Sequence, residues 1–226
     1  MSVQGCIDRR GPDVEAAAEG ALPWAQSRRL ALREFGPQDH AALMQMHCEP
    51  RLCQYLVDDY PLHDSRVAHI FLERMARLYR RHEGLGIWHA SLRQTPPPFV
   101  GWFNLMPMAE RPGEVEIGSR LLPQFWGGGL ALEGGELLLD HACDRLGLGR
   151  VWGTCHPANR AAQAVLATLG FESLGVMPYD GAQASHFRIE MNAWRALRNT
   201  PRGMRLRRAL RARALAAGTV VDRIEE

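Results

Sequence analysis

The chain has no lysine: all 27 of its basic residues are arginine. Schiff-base catalysis, a phosphate-loop lysine and an ammonium general base are therefore excluded. No apolar run approaches the roughly 18 residues that would cross a bilayer as a helix. The opening stretch is broken by Asp8, Arg9, Arg10, Asp13, Glu15 and Glu19, so no apolar signal core is expected there and a cytoplasmic location is. Cysteine is sparse and odd in number, with Cys6, Cys48, Cys53, Cys143 and Cys155 forming no framework. Free thiols in a reducing compartment are expected. Cys48 and Cys53 stand beside His47, but no second pair follows at ligand spacing, so no metal centre is expected.

What the chain does contain is ordinary for a globule: 226 residues, 46% hydrophobic and 23% charged. A chain of this size buries about 70% of its unfolded surface without disulfide or metal staples, which suits one domain with ragged ends. Charge is unevenly spread. Residues 1–194 hold 18 Arg against 22 acids, a net of −4, whereas 195–226 hold 9 Arg against 3 acids, a net of +6. The expected division is a flexible leader over 1–27, a domain over 28–194 and an Arg-rich tail over 195–226, helical in part.

Within the domain the hydrophobic period alternates between two and 3.6. Leu30 and Leu32 mark a short strand, and Ala41–His47 a helix after Asp39. Val67, Ile70, Phe71, Met75 and Leu78 share one face of a helix over 65–81. Strands are expected over 85–92, 99–106 and 115–122, separated by the turns Thr95-Pro96-Pro97-Pro98 and Arg111-Pro112-Gly113. A helix over 130–146 follows, although Gly134 and Gly135 weaken it by about 1 kcal/mol each. A strand over 151–155, a helix over 160–169 and a strand over 185–192 complete the order.

The most informative segment is Pro123-Gln124-Phe125-Trp126-Gly127-Gly128-Gly129-Leu130-Ala131, between a strand and a helix. Unpaired backbone N–H groups and the helix dipole meet at such a junction, which suits a phosphate. A dinucleotide fingerprint is excluded, because Leu132 stands where its last glycine would fall. A P-loop is excluded by the missing lysine.

The stretch Val115-Glu116-Ile117-Gly118-Ser119-Arg120-Leu121-Leu122-Pro123-Gln124-Phe125-Trp126-Gly127-Gly128-Gly129-Leu130-Ala131 resembles the acyl-CoA motif of the GNAT N-acetyltransferases, in particular their RimJ/RimL-like branch. Thr154-Cys155-His156-Pro157-Ala158-Asn159, Val165-Leu166-Ala167-Thr168-Leu169-Gly170-Phe171, Arg29-Leu30-Ala31-Leu32-Arg33 and Cys48-Glu49-Pro50 are similar to it in the same order. The resemblance implies an α+β, three-layer fold with a mixed, mostly antiparallel sheet of six to seven strands flanked by helices and splayed between the fourth and fifth. It also implies acetyl transfer from acetyl-CoA directly to an amine. In the preferred register Trp126 opens the motif, and Gly129 and Ala131 take its two small positions. Residues Gly127 to Leu132, with Gly128 and Leu130 among them, would hold the pyrophosphate. Leu121 and Leu122 would border the thioester, and Asn159 the pantetheine arm.

Proton handling departs from the family pattern. Thr154 stands where the branch places a glutamate, Leu166 where it places a tyrosine and Ala162 where a serine is frequent. Glu116 is the remaining candidate base, with balance by Arg120 as its structural alternative, and His156 is a second candidate because imidazole titrates near 6.5. Tyr55, Tyr60, Trp88, Trp102 and Phe103 are aromatics expected near the acceptor cleft, or in the core, and Asp58 and Asp59 could draw a cationic amine. A protein N-terminal amine is favoured over a small-molecule amine. The rival is a CoA-binding protein without turnover, tethered by its tail. Arg195 to Ala217 carry eight arginines and no acid. Such a helix suits RNA, an acidic partner or an anionic membrane, or it packs Leu206, Leu210, Ala214 and Ala217 on the domain or on a second copy in a homodimer.

Overall fold

The computed structural model describes residues 24–55 and 65–216. Among them the strands are β1 (Ala25–Gln26), β2 (Leu30–Glu34), β3 (Gly86–Leu92), β4 (Phe99–Pro107), β5 (Val115–Leu121), β6 (Arg150–Cys155), β7 (Glu172–Tyr179) and β8 (Ala182–Glu190). The helices are α1 (His40–His47), α2 (Pro50–Cys53), α3 (Ser65–Arg81), α4 (Leu130–Asp144), α5 (Arg160–Leu169), α6 (Met191–Leu197) and α7 (Arg202–Ala216). One sheet runs in the order β1-β2-β3-β4-β5-β6-β8-β7. Every neighbouring pair is antiparallel except β5 and β6. The α+β class stands, and the sheet has eight strands rather than six or seven.

Side-chain alternation along the central strands builds the layers. On β4, Trp102 faces a cluster with Phe35, Leu43, Met46 and Leu72, which seats α1 and α3 on one side. Its neighbour Phe103 points the other way, into the main core with Leu138, Leu139, Leu166 and Leu169 of α4 and α5. Gly134 explains itself here. A β-carbon at that position would overlap the Phe103 ring, so the helix sacrifices propensity for a close approach to the sheet.

Two expected boundaries move. Trp24 stacks on Trp88 at 4.1 Å, and Ala25–Gln26 pairs with β2, so the end of the expected leader belongs to the sheet. The remainder of that leader, and Asp58, Asp59 and Tyr60, lie outside the described residues. The last strand ends at Glu190 instead of Asn192, because Met191 begins α6.

The tail helix is docked with a polar face inward. Arg202 and Arg205 both donate to the Glu136 carboxylate of α4, and Arg198 pairs with Asp144 at 2.6 Å and Asp140 at 3.4 Å. Leu206 and Leu210, expected to pack on the domain or on a second copy, are 41% and 55% exposed and so are not packed on the domain. Glu136 of α4 thus takes the arginine face of α7, while Asp140 and Asp144 hold Arg198 just before it. Among the described residues, no helix is long and apolar enough to cross a membrane.

Candidate active site

The site begins with the one parallel pair. β5 and β6 are in register only at Glu116–Trp152 and Ile117–Gly153. Beyond that point β6 stays paired with β8 as far as Cys155–Ser185, so it swings away from β5 with its hairpin. The backbone of β5 is left facing the gap. Leu122 N–H donates to the Val100 carbonyl at 2.9 Å, continuing the β4–β5 register in which Gly101 opposes Leu121. Hydrogen-bonding direction alternates along an antiparallel strand, so the peptide groups of Leu121 face away from β4 and into the gap. The Leu121 carbonyl accepts from the Trp126 indole N–H at 2.6 Å, which leaves the Leu121 N–H as the donor at the opening.

The chain then turns through Pro123–Phe125 into the glycine loop. Gly127 and Gly129 have φ of 76° and 75°, the left-handed region that a side chain resists. Gly129 is the N-cap of α4, and its carbonyl accepts the first helical bond from Glu133 at 3.1 Å. The next backbone N–H groups of α4 lack intrahelical partners by the geometry of a helix start. A concave, positive-end helix terminus results. Opposite it, Asn159 caps α5 by accepting from Ala162 N–H at 3.0 Å.

These elements enclose a cleft of about 780 Å³. Trp126, Gly127, Gly129, Leu130, Ala131 and Leu132 line it at one end, and Tyr55, Glu116, Thr154, His156 and Asn159 elsewhere. The sequence-derived site residues Leu121 and Asn159 are thus brought together with the loop, whereas Gly128 and Leu122 do not line the cleft, Leu122 being 2% exposed in the cluster with Trp102. Of the expected aromatics, Tyr55, Trp102 and Phe103 reach the cleft, whereas Trp88 is core, 1% exposed.

Glu116 is held by hydroxyls, not by arginine. Tyr179 Oη donates to the carboxylate, 2.9 and 3.0 Å from its two oxygens, and Thr154 Oγ1 lies 3.4 Å from Oε2. The Arg120 guanidinium instead lies over the Trp102 ring at 4.7 Å. Burial pushes the Glu116 carboxyl above the ordinary carboxylate range; the Tyr179 and Thr154 hydrogen bonds pull it partly back, and the Glu110 charge raises it. The Tyr179 phenol is itself pushed up, by burial and then by the Glu116 charge. Tyr179 was missed in the sequence, and its only signal was an aromatic just before the Asp180-Gly181 turn. His156 lies on the cleft wall with Nδ1 accepting from Ala158 N–H at 3.1 Å, and its ring is 5.8 Å from Tyr55. Cys155 also lines the cleft, its thiol pushed up to about 11 by burial. No group of three or more His, Cys, Asp or Glu able to hold a metal occurs among the described residues.

A sheet splayed at its parallel pair, with a glycine-opened helix start facing the gap, forms a cleft that suits an elongated ligand with an anionic end. The profile of the acetyltransferase (GNAT) domain matches residues 29–172. The chain belongs to the GNAT acetyltransferase family, which uses acetyl-CoA. It is 28% identical over 159 residues to the FsC-acetyl coenzyme A-N(2)-transacetylase of Aspergillus fumigatus, covering 66% of this chain and 65% of that protein. An uncharacterized N-acetyltransferase of Bacillus subtilis, YoaA, is 25% identical over 157 residues, covering 69% and 86%. Among solved structures, the RimL ribosomal L7/L12 alpha-N-protein acetyltransferase with coenzyme A superposes with a TM-score of 0.61 at 21% identity, over 74% of this chain and 97% of that one. RimJ of Mycobacterium smegmatis gives 0.61 at 22%, over 84% and 90%. Those two likenesses are of fold.

Proposed function

We propose that this chain is an N-acetyltransferase of the RimJ/RimL-like branch that moves acetyl from acetyl-CoA directly onto the free N-terminal amine of a protein. The observation that carries this reading is the Glu116 carboxylate, half-buried and held by Tyr179, in the same cleft as the glycine-opened start of α4. The loop residues fit a pyrophosphate, since the first N–H groups of α4 lack intrahelical partners and the space where a β-carbon of Gly127 would stand is open. Asn159 has its carbonyl oxygen committed to the α5 cap, and its amide nitrogen is the donor for a pantetheine carbonyl.

Glu116 is the base. Two protons leave the acceptor ammonium: one passes to Glu116 and the other ends on the departing sulfur. The N–C bond forms as the carbonyl electrons move onto oxygen, where the Leu121 N–H meets the charge. One such preorganised donor supplies about 3 kcal/mol. The C–S bond then breaks and its electron pair leaves on sulfur. His156 is the second proton-handling residue: with Nδ1 accepting a hydrogen bond, the neutral ring carries its hydrogen on Nε2.

The acidity of the acceptor supports the choice: an α-ammonium, at a pKa of about 7.7–8.0, gives its proton to a carboxylate more readily than an alkyl ammonium at about 10.4. The named activity of RimL agrees with it. A small-molecule amine is the second reading, favoured by the N(2)-transacetylase relative.

Isotope-labelled acetyl transfer, read by mass spectrometry over peptides with free N-termini, polyamines, aminoglycosides and amino acids, tests the assignment. Label on the peptide α-amines is expected. Label on small amines alone would replace the first reading by the second. Binding of acetyl-CoA without label on any acceptor would favour a CoA-binding protein.

A further inference from the structure

Arg29, just before β2, reaches the glycine loop across 99 positions of sequence. Its Nη1 donates to the Gly128 carbonyl at 2.8 Å. Its Nε donates to Glu133 Oε2 at 2.7 Å, its Nη2 lies 2.7 Å from that same oxygen, and its backbone N–H donates to Oε1 at 2.8 Å. Ser27 Oγ completes the cluster with a 2.5 Å bond to Oε1. Glu133, in the first turn of α4, is 6% exposed. Burial alone would raise its carboxyl, but the Ser27 and Arg29 bonds outweigh that and hold it below the ordinary range. The brace is therefore an ionised, fully engaged carboxylate, and it fixes the guanidinium in place.

What the guanidinium does follows from peptide geometry. In a trans peptide the carbonyl of one residue and the N–H of the next point in opposite directions. Holding the Gly128 carbonyl on Arg29 turns the Gly129 N–H the other way, toward the cleft that Gly129 lines. Glycine permits this orientation because Gly129 sits at φ 75°. Without the brace, the Gly128 carbonyl could rotate its negative end toward an anion bound there.

We infer that Arg29 is a cofactor-positioning residue, which draws the Gly128 carbonyl out of the anion's path and presents the Gly129 amide to the CoA pyrophosphate. The inference rests on residues 126–132 forming the pyrophosphate loop, and the test separates the two. Arg29→Ala is expected to weaken CoA binding at least tenfold by calorimetry. It should raise KM for acetyl-CoA by a similar factor while kcat moves less than threefold. The loss in kcat/KM should be at least fivefold larger with acetyl-CoA than with acetyl-pantetheine, which has no pyrophosphate. Arg29→Lys, which cannot bridge Glu133 and Gly128 with a planar fork, should fall between.

An equal loss with both donors would mean a general structural defect and overturn the inference. Unchanged CoA binding in Arg29→Ala would also overturn it. Gly129→Val then assigns the failure: weakened CoA binding there leaves the loop standing, whereas unchanged binding removes the loop as well.

Discussion

The Tyr179 hydroxyl lies 2.9 and 3.0 Å from the two oxygens of the Glu116 carboxylate, joining residues 63 positions apart. Glu116 comes from the strand that leads into the cofactor loop, and Tyr179 from the edge strand of the β7–β8 hairpin. The hairpin that opens the gap between β5 and β6 thus also brings the hydroxyl that holds the carboxylate.

Tyr179→Phe removes a hydrogen bond that favours the charged carboxylate and leaves the burial that opposes it. The pKa of Glu116 should rise. The acidic limb of the kcat/KM profile should then move to higher pH, with lower activity at neutral pH and recovery in alkali. A limb that stays in place in the Phe variant would dissociate Tyr179 from the base.

Two buried histidines set a stability window. His47 is pushed down to about 4 by burial and then by the Arg120 charge, and His89 to about 4 by burial and then by Arg33, with Asp39 pulling upward. Unfolded histidine takes up its proton near 6.5, so between pH 6.5 and 4 the unfolded chain binds more protons than the folded one. Stability should fall through that window on acidification, by at most on the order of 3 kcal/mol per histidine. Glu116, raised in the folded state, works in the opposite direction and offsets part of it. Thermal melts at pH 7 and pH 5 should show a lower Tm at pH 5, and a flatter dependence in the His47→Gln/His89→Gln variant. A Tm independent of pH would contradict this.

The docked tail gives a prediction about Glu136. Arg205 is 4% exposed and shares that carboxylate with Arg202. Glu136→Ala leaves a buried guanidinium unpaired, and removing one partner of a fully buried pair costs about 3–5 kcal/mol. Glu136 is partly exposed, so about 2 kcal/mol is expected in denaturant unfolding. A loss below about 0.5 kcal/mol would show that α7 is held by other contacts.

Cys155 should be a poor nucleophile despite lining the cleft. With its thiol at about 11, the thiolate is scarce at pH 7.5. Exposed Cys48 should be alkylated first, followed by mass spectrometry, and CoA should slow Cys155 further. Alkylation of Cys155 ahead of Cys48 would overturn the assigned environment.

Much of this was legible in the sequence where one face of an element is buried. The alternation of β3, β4 and β5 and the stripe of α3 mark their positions, and Trp126, Gly129, Ala131 and Asn159, singled out by their spacing, all line the one cleft. β7 was not legible. It is an edge strand, exposed along most of its length, with a register shift between Ser173 and Gly175 and a proline at 178, so it carries no period of two. Tyr179 was lost with it. The docking of the tail helix was not legible for the opposite reason: its apolar stripe is visible in the sequence, but Glu136 of α4, which takes Arg202 and Arg205, lies 66 and 69 positions away.

The most direct measurement is single-turnover acetyl transfer by Glu116→Gln, to a peptide with a free N-terminus, alongside an acetyl-CoA titration of the same variant. Glutamine keeps the shape of the side chain and its hydrogen bonding to Tyr179 but cannot take the proton. Turnover should drop at least tenfold at neutral pH with acetyl-CoA affinity unchanged. Turnover equal to that of the parent chain, at equal affinity, would remove Glu116 from the chemistry and contradict the account.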